Sequence, residues 1–408
     1  MLWKLGLRNI GRNRRRTLLA GGVVLFGFTS LTLSGSFMRQ SFDALREGTI
    51  RGGTGHIQIA DPALFQPGGD AEALQHALAE GPRAAAIVRE NPNVIEVLER
   101  IDFFGLITNG DRSVPIVGVG LDPGSEARAT DLPSLIDSGQ WLAGRDDRAV
   151  VIGAGLAGAL GARPGQSLTL MAMTADGVLN AIDLEVAGVV RLPVRELDDR
   201  YVVTSISAAD ALLNAGGRVS RLVVMLRDGS AVEETAGSLQ GSLRSAGIVA
   251  EAKTWKALAV FYRQVRQLYL GMFSFLGLVL FSIVLLATTN SMLMATAERT
   301  REIGTLRALG ARPRRVVRLF VVEGFLIGAL GCLAGTALSM TVCAVLNGSG
   351  LTLPPPPGVA HPIPLHIRFY PTAYLFAAAV MTATVLLASW LPARRASRQR
   401  IVDALAHV

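Results

Sequence analysis

Gln267 to Ala297, QLYLGMFSFLGLVLFSIVLLATTNSMLMATA, runs without a charged side chain and stops abruptly at Glu298-Arg299-Thr300-Arg301-Glu302. A hydrocarbon core takes about 20 helical residues at about 1.5 Å each, so this stretch crosses one with helix to spare. Three more such runs lie outward from it: Thr17 to Met38 before it, and Gly324 to Leu346 and Phe369 to Ala393 after it. Backbone groups in lipid must be satisfied within the segment, which makes all four helices. Pro371 suits the first turn of a helix and not its interior, so the fourth helix is expected from Thr372. Half of the 408 residues are hydrophobic, and their concentration in these runs excludes an ordinary soluble protein.

Charge gives the orientation. Residues 1–16 hold Lys4, Arg8, Arg12, Arg14, Arg15 and Arg16 and no acid. The connector 298–315 holds Arg299, Arg301, Arg307, Arg312, Arg314 and Arg315 against Glu298 and Glu302, and the tail adds Arg394, Arg395, Arg398 and Arg400 against Asp403. Residues 40–267 carry 21 basic and 28 acidic groups, so the net charge of +8 sits in the short flanks and not on a nucleic-acid surface. Basic flanks are retained in the cytoplasm, which puts both termini and the connector there and residues 40–267 outside. A cleaved signal peptide fits the first run poorly, because 22 uncharged residues exceed a signal core and no small-residue cleavage site precedes Arg39-Gln40.

The expected class is therefore a membrane α-helical protein with four transmembrane helices and a large α+β extracytoplasmic domain inserted between helices 1 and 2. The expected boundaries are 1–16 for an amphipathic leading helix, 17–38, 267–297, 317–346 and 372–391 for the spans, 39–266 for the outer domain with a helical stalk, 298–316 for a cytoplasmic connector, 347–371 for an external loop and 392–408 for the tail. In the outer domain, strands are expected at 56–59, 114–120, 149–152, 167–172, 182–190, 201–204 and 221–226, and helices at 71–79, 82–91, 208–215 and 231–246. Thr254 to Leu270 repeats apolar residues at helical spacing and predicts a helix rising without a break into the second span, with Arg39 to Ile50 as its partner in the stalk.

Sites of chemistry are few. Val150 to Ile152 followed by Gly153-Ala154-Gly155-Leu156-Ala157-Gly158 matches the dinucleotide fingerprint G-x-G-x-x-G. Gly161, Pro164 and Gly165 leave no room for the crossover helix that fingerprint needs, so a strand-turn-helix contact is expected instead. Lysine occurs only at 4, 253 and 256 and none closes a phosphate loop; there is no nucleophile elbow, and His56, His76, His361, His366 and His407 lack partners at ligand spacing. No catalytic, cofactor or metal residue is expected, and ATP with its Mg would be bound by another subunit. Cys332 and Cys343 lie about 16 Å apart along one helix and cannot bridge each other.

Three further features are informative. The connector Glu298 to Pro313 reads as a short amphipathic helix with Ile303, Leu306 and Leu309 roughly along one side, ended by Gly310 and Pro313. Gly324, Gly328, Gly331 and Gly335 form two small-xxx-small pairs for close helix contact. Glu323, at the inner edge of that run, is expected to snorkel or to pair with Arg318 and Arg315 about one turn away. The loop Pro354-Pro355-Pro356-Pro357-Gly358 reads as a stiff connector or as a surface for substrate or a partner.

Glu298 to Pro313 closely resembles the E-R-x-x-E-I-G-x-x-x-A-x-G-A connector of FtsX-like permeases, the group that contains macrolide-exporter and lipoprotein-releasing ABC transporters (type VII). Leu5 to Leu18, Pro392 to Ser397 and, more weakly, Val150 to Leu170 and Leu184 to Val190 are similar to other stretches of that family. The resemblance implies a homo- or heterodimer of permeases docked on a cytoplasmic ABC ATPase, with membrane lipids around it and a periplasmic adaptor or lipoprotein carrier as a further partner. It also implies that Glu298, Arg299, Arg301, Glu302, Ile303, Gly304, Leu306, Leu309, Gly310 and Ala311 form the coupling helix on the ATPase, and that closure of the ATPase moves the outer domain, a mode called mechanotransmission. Lipoprotein or lipid extraction is the expected task, with efflux of peptides or drugs, or signalling to a periplasmic partner, as alternatives.

Overall fold

A computed structural model describes residues 14–69, 73–192, 194–353, 363–364, 366–399 and 404. The leading stretch Leu5 to Asn13, the proline run Pro354 to Gly358, His361 and Arg400 lie outside the described residues.

In chain order, helix α1 (Arg14–Thr49) ends in a π-turn (Ile50–Thr54) and leads to β1 (Ile57–Ala60), α2 (Gly81–Arg89), β2 (Val94–Thr108), β3 (Ser113–Leu121), α3 (Pro123–Ala129), β4 (Ile136–Gly139), β5 (Ala149–Gly153) and α4 (Ala154–Leu160). There follow β6 (Ser167–Met173), β7 (Leu179–Val190), α5 (Arg195–Asp198), β8 (Tyr201–Ser205), α6 (Ile206–Leu213), β9 (Arg221–Leu226), α7 (Val232–Ser245), β10 (Glu251–Thr254) and α8 (Trp255–Leu258). The remainder is helical: α9 (Val260–Glu298), α10 (Thr300–Ala308), α11 (Pro313–Gly348) and α12 (Pro371–Ala396). The chain divides into two compact units, one of residues 44–264 with 353–363 and one of residues 1–43, 265–352 and 364–408.

The mixed unit is built on one ten-stranded sheet in the order β10-β1-β9-β2-β3-β8-β5-β7-β4, with β6 bridging β2 and β7. That bridge closes β2, β3, β8, β5, β7 and β6 into a six-stranded ring. Strand β2 makes this possible by its length: Val94 to Arg100 pair with β9 and Gly105 to Thr108 pair with β6 along the same edge. Closure removes exposed edges, and the ring interior is filled by Phe103, Ile107, Ile116, Leu168, Leu170, Leu184 and Val202, all buried. Phe103 lies opposite Gly118 in the β2–β3 register, and a Cβ at 118 would fall 2.2 Å from its ring, so the glycine makes room for the aromatic.

The helical unit contains the four helices long and apolar enough to cross a membrane, over Thr17–Thr54, Tyr262–Glu298, Pro313–Gly348 and Pro371–Ala396. In α11, Gly324 and Gly328 face Ser389 and Val385 of α12, while Gly331 and Gly335 face Val24 and Phe28 of α1. The two glycine pairs thus serve two different neighbours. Packing is uneven: 44% of the most apolar window of α11 is buried but only 6% of that of α9, which leaves one side of α9 open.

Several expectations on local structure fail. Residues 73–76 form turns, not part of a helix over 71–79, because Leu78 is drawn into a bridge with Val219 and its N–H donates to the Val219 carbonyl at 2.8 Å. The stalk segment Thr254 to Leu270 is not continuous: Thr254 ends β10, and Ala259, with ψ 74°, separates α8 from α9. Strands β2, β4 and β10 were not anticipated.

Candidate functional site

The connector is assembled by local chemistry. Helix α9 ends at Glu298, and Arg299 stands outside helical geometry (φ −106°, ψ 14°) at the head of α10. The Thr300 hydroxyl donates to the Ala297 carbonyl at 2.8 Å, which holds the corner. At the other end Gly310 takes φ +88°, the Gly310 N–H donates to Arg307 O at 3.0 Å and the Ala311 N–H to Leu306 O at 3.0 Å. This is the paired bonding of a helix stop at a left-handed glycine, after which Pro313 opens α11.

Helix α10 has two faces. Ile303, 4% exposed, packs with Ala295, Val316, Phe320, Ala393 and Ala396, and Thr300 and Gly304 are buried beside it. Glu298, Arg301, Glu302, Thr305 and Gly310 are exposed, as are Leu306 at 44% and Leu309 at 80%. Ile303 therefore does not share a side with Leu306 and Leu309; the two leucines belong to the outward face, together with the charges. Arg307 donates to the Gln399 carbonyl, tying α10 to the segment after α12.

Arg299 corrects two expectations. It is 4% exposed as a residue, so it offers no docking surface, and its Nη1 donates to Glu323 Oε2 at 3.1 Å inside the helical unit. Glu323 pairs neither with Arg318 nor with Arg315. Five residues turn a helix by about 140°, so Arg318 stands on the exposed side of α11 while Glu323, 2% exposed, faces inward. Among the described residues, the Nε and Nη2 groups of Arg299 have no hydrogen-bond partner. Nothing in the spacing of Arg299 and Glu323 signalled this pair, since it depends on how α10 folds back on α11.

A second feature of the helical unit is a cleft of about 830 Å³ between α1, α9 and α12. Leu31, Leu270, Phe273, Leu280, Phe281, Phe376 and Val380 form apolar walls, and Arg39, Arg266 and Thr372 lie at one end.

The dinucleotide-like glycines have a structural explanation. The Asp198 carboxylate accepts the Gly155 N–H at 2.8 Å, the Ala154 N–H at 3.3 Å and the Leu192 N–H at 2.8 Å, so the chain's own acid occupies the helix N-terminus where a phosphate would sit. A Cβ at Gly153 or Gly155 would meet the 198–199 turn at 2.0 or 1.9 Å, which accounts for both glycines without a nucleotide. Among the described residues no group of three His, Cys, Asp or Glu side chains is placed to hold a metal ion.

Comparison with known proteins agrees with this architecture. Residues 17–242 match the family model "MacB-like periplasmic core domain", more than half of the chain, and residues 273–401 match "FtsX-like permease C-terminal". The chain is 39% identical over 140 residues to a protein of Shigella sonnei named "Macrolide export ATP-binding/permease protein MacB", and 38% identical over 140 residues to its Escherichia coli K12 counterpart. Each match spans 34% of this chain and 19% of the relative. The solved periplasmic region of MacB from Actinobacillus actinomycetemcomitans is similar with a TM-score of 0.39 at 17% identity, covering 51% of this chain and 93% of that one. The four apolar helices, the ring-built domain and the two matched segments together make this chain a member of the MacB-like, FtsX-like family of ABC transporter permeases.

Proposed function

We propose that this chain is the permease subunit of an inner-membrane exporter in which a separate cytoplasmic ABC ATPase, holding ATP and Mg, drives the mixed domain on the opposite side of the membrane. The basic flanks at both termini and in the connector support a cytoplasmic placement of α10 and an extracytoplasmic one for residues 44–264. The observation that carries the reading is the two-sidedness of α10. Its inner face is locked by Ile303 and the Arg299–Glu323 pair, while Arg301, Glu302, Leu306 and Leu309 stand outward as a mixed apolar and charged surface of the kind a protein partner covers. A push on that face is delivered to α11 and α12 as well as to α9, because the buried face of α10 is packed on them.

The substrate reading is an amphipathic molecule taken up at the outer side of the membrane. The cleft, apolar along its walls and polar at one end, supports it. Lipoprotein or lipid extraction fits that shape, and the macrolide export named for the relatives favours efflux of amphipathic drugs as the second reading. Permeases of this form act as dimers, and a second copy or a related chain completes the assembly.

Glu302→Lys reverses a charge on the exposed face without touching the buried one. The chain should still insert in the membrane, but the ATPase that copurifies with the wild-type protein should be lost or its ATP hydrolysis should no longer respond to substrate. Unchanged copurification and unchanged substrate response would refute the docking role of α10.

A further inference from the structure

We propose that the cleft selects amphiphiles with an anionic headgroup, phosphate or carboxylate, through Arg39 of α1 and Arg266 of α9; this rests on reading the cleft as the substrate's place. The residues that line the cleft include two arginines and no aspartate or glutamate. Counting along the helices, Leu31 to Arg39 spans about 12 Å and Arg266 to Phe281 about 22 Å, so both guanidinium groups stand at the same end and the apolar walls run away from them. That is the polarity of a charged head above apolar tails.

Neither arginine is neutralised from within. Arg39 donates from Nη1 to the Thr372 hydroxyl and lies 5.8 Å from the centre of the Tyr370 ring, both uncharged partners. Asp43, one turn further along α1, accepts the Tyr370 hydroxyl at 3.0 Å and forms no ion pair with Arg39. The Arg266 side chain makes no hydrogen bond or ion pair with any described residue. Two planar cations facing one apolar space without a carboxylate favour a bidentate anion, and a guanidinium binds phosphate or carboxylate more strongly than a zwitterionic head whose own cation it repels. An apolar cleft alone would accept any tail.

The test uses the full-length chain purified from nanodiscs that contain phosphatidylglycerol and phosphatidylcholine in equal amounts, with retained lipid counted by native mass spectrometry. The wild type should retain phosphatidylglycerol about tenfold over phosphatidylcholine, the ratio of one net charged hydrogen bond. Arg39→Gln with Arg266→Gln should bring that ratio to about one while total lipid retained stays the same, and Arg39→Lys with Arg266→Lys should keep part of the preference. A wild type that retains both lipids equally would overturn the anion selectivity and leave the cleft reading standing. An unchanged preference in the double Gln variant would overturn it too, by making the two arginines interfacial anchors only. A short-chain carboxylate detergent that competes with phosphatidylglycerol, as free phosphate should not, identifies the amphiphile rather than the anion alone; competition by free phosphate would overturn the amphiphile. Ala373→Phe fills the cleft wall and should reduce retention of both lipids; if it leaves both unchanged, lipid is held elsewhere and the cleft reading itself fails.

Discussion

Glu323→Gln tests the buried pair that holds the connector in place. The pair is 5% and 2% exposed at its side chains with N–O at 3.1 Å. Two unit charges about 4 Å apart attract by about 4 kcal/mol at an effective dielectric of about 20, and burying each ion costs several kcal/mol, so the intact pair stands near balance against an apolar pair of the same size. Removing one partner is a different matter. Arg299 would keep its charge and its desolvation, with Nε and Nη2 already lacking acceptors, and the expected loss is about 3–5 kcal/mol. Arg299→Met and Glu323→Leu should each cost a similar amount, whereas the two together should return to within about 1 kcal/mol of wild type. Unfolding of the full-length chain in mixed micelles, followed by tryptophan fluorescence, measures all four corners of the cycle. If Glu323→Gln costs less than about 1 kcal/mol, or if the double variant loses the sum of the single losses, the charges are not coupled and α10 is held by Ile303 and its neighbours alone.

The glycines of α11 should differ in what they tolerate. A Cβ at Gly335 would lie 2.7 Å from Phe28 Cδ1 and 3.1 Å from the Leu25 carbonyl, so Gly335→Ala should cost about 1–3 kcal/mol, while Gly328→Ala, whose nearest neighbour would be Val385 Cβ at 3.6 Å, should be neutral or slightly stabilising; equal melting shifts would refute the assignment of these faces. The mixed unit should be acid-sensitive through His56. Burial pushes this imidazole down from its ordinary value, nearby Glu47 opposes and Arg46 and Arg51 assist, and the Leu226 N–H donates to its Nδ1 at 3.2 Å. A lowered folded value means stability present above the unfolded value near 6.5 and lost as pH falls through it toward the folded value. Melting of the full chain between pH 8 and 5 should show that loss and His56→Gln should flatten it; an identical pH profile in the variant would refute it.

Legibility in the sequence followed the physics of each element. The apolar runs and the basic flanks were plain because lipid and the positive-inside bias impose one rule on every residue of a span. The end of α10 was equally plain, since Gly310 and Pro313 act through local backbone geometry. Strand β2 was hidden by its own role: Val94, Ile95, Val97, Leu98, Ile101, Phe103, Phe104, Leu106 and Ile107 put apolar groups on both faces, so neither a helical nor a strand period stands out. The 71–79 stretch had a helical pattern that the Leu78–Val219 bridge overrode. In the connector, helical spacing counted Ile303, Leu306 and Leu309 as one side, but 303 and 309 are about 120° apart on a helix, and only the contact of α10 with α11 and α12 fixes which of them is inside. The resemblance puts Arg299 on the docking surface because a motif records which residues recur and not which way they point.

The chain enters and leaves the mixed unit through neighbouring strands. Strands β1 and β10 are antiparallel neighbours with Ile57 opposite Thr254, so the π-turn before β1 and helix α8 after β10 attach at the same end of one ladder. The Trp255 N–H donates to the His56 carbonyl at 3.0 Å, extending the ladder past its last strand pair. Arg100, half-buried on β2, donates to the Gly53 carbonyl at 2.7 Å and pairs with Glu126 of α3, which clamps the π-turn to the sheet. Ladder hydrogen bonds in an antiparallel pair run across the strands, so sliding one attachment past the other along the strands loads every bond of the β1–β10 pair at once, whereas parting them sideways loads the Ile57–Thr254 end first. A displacement of both together loads none of them. The unit is therefore stiff against sliding of its two attachments past each other and free to be carried by their joint movement.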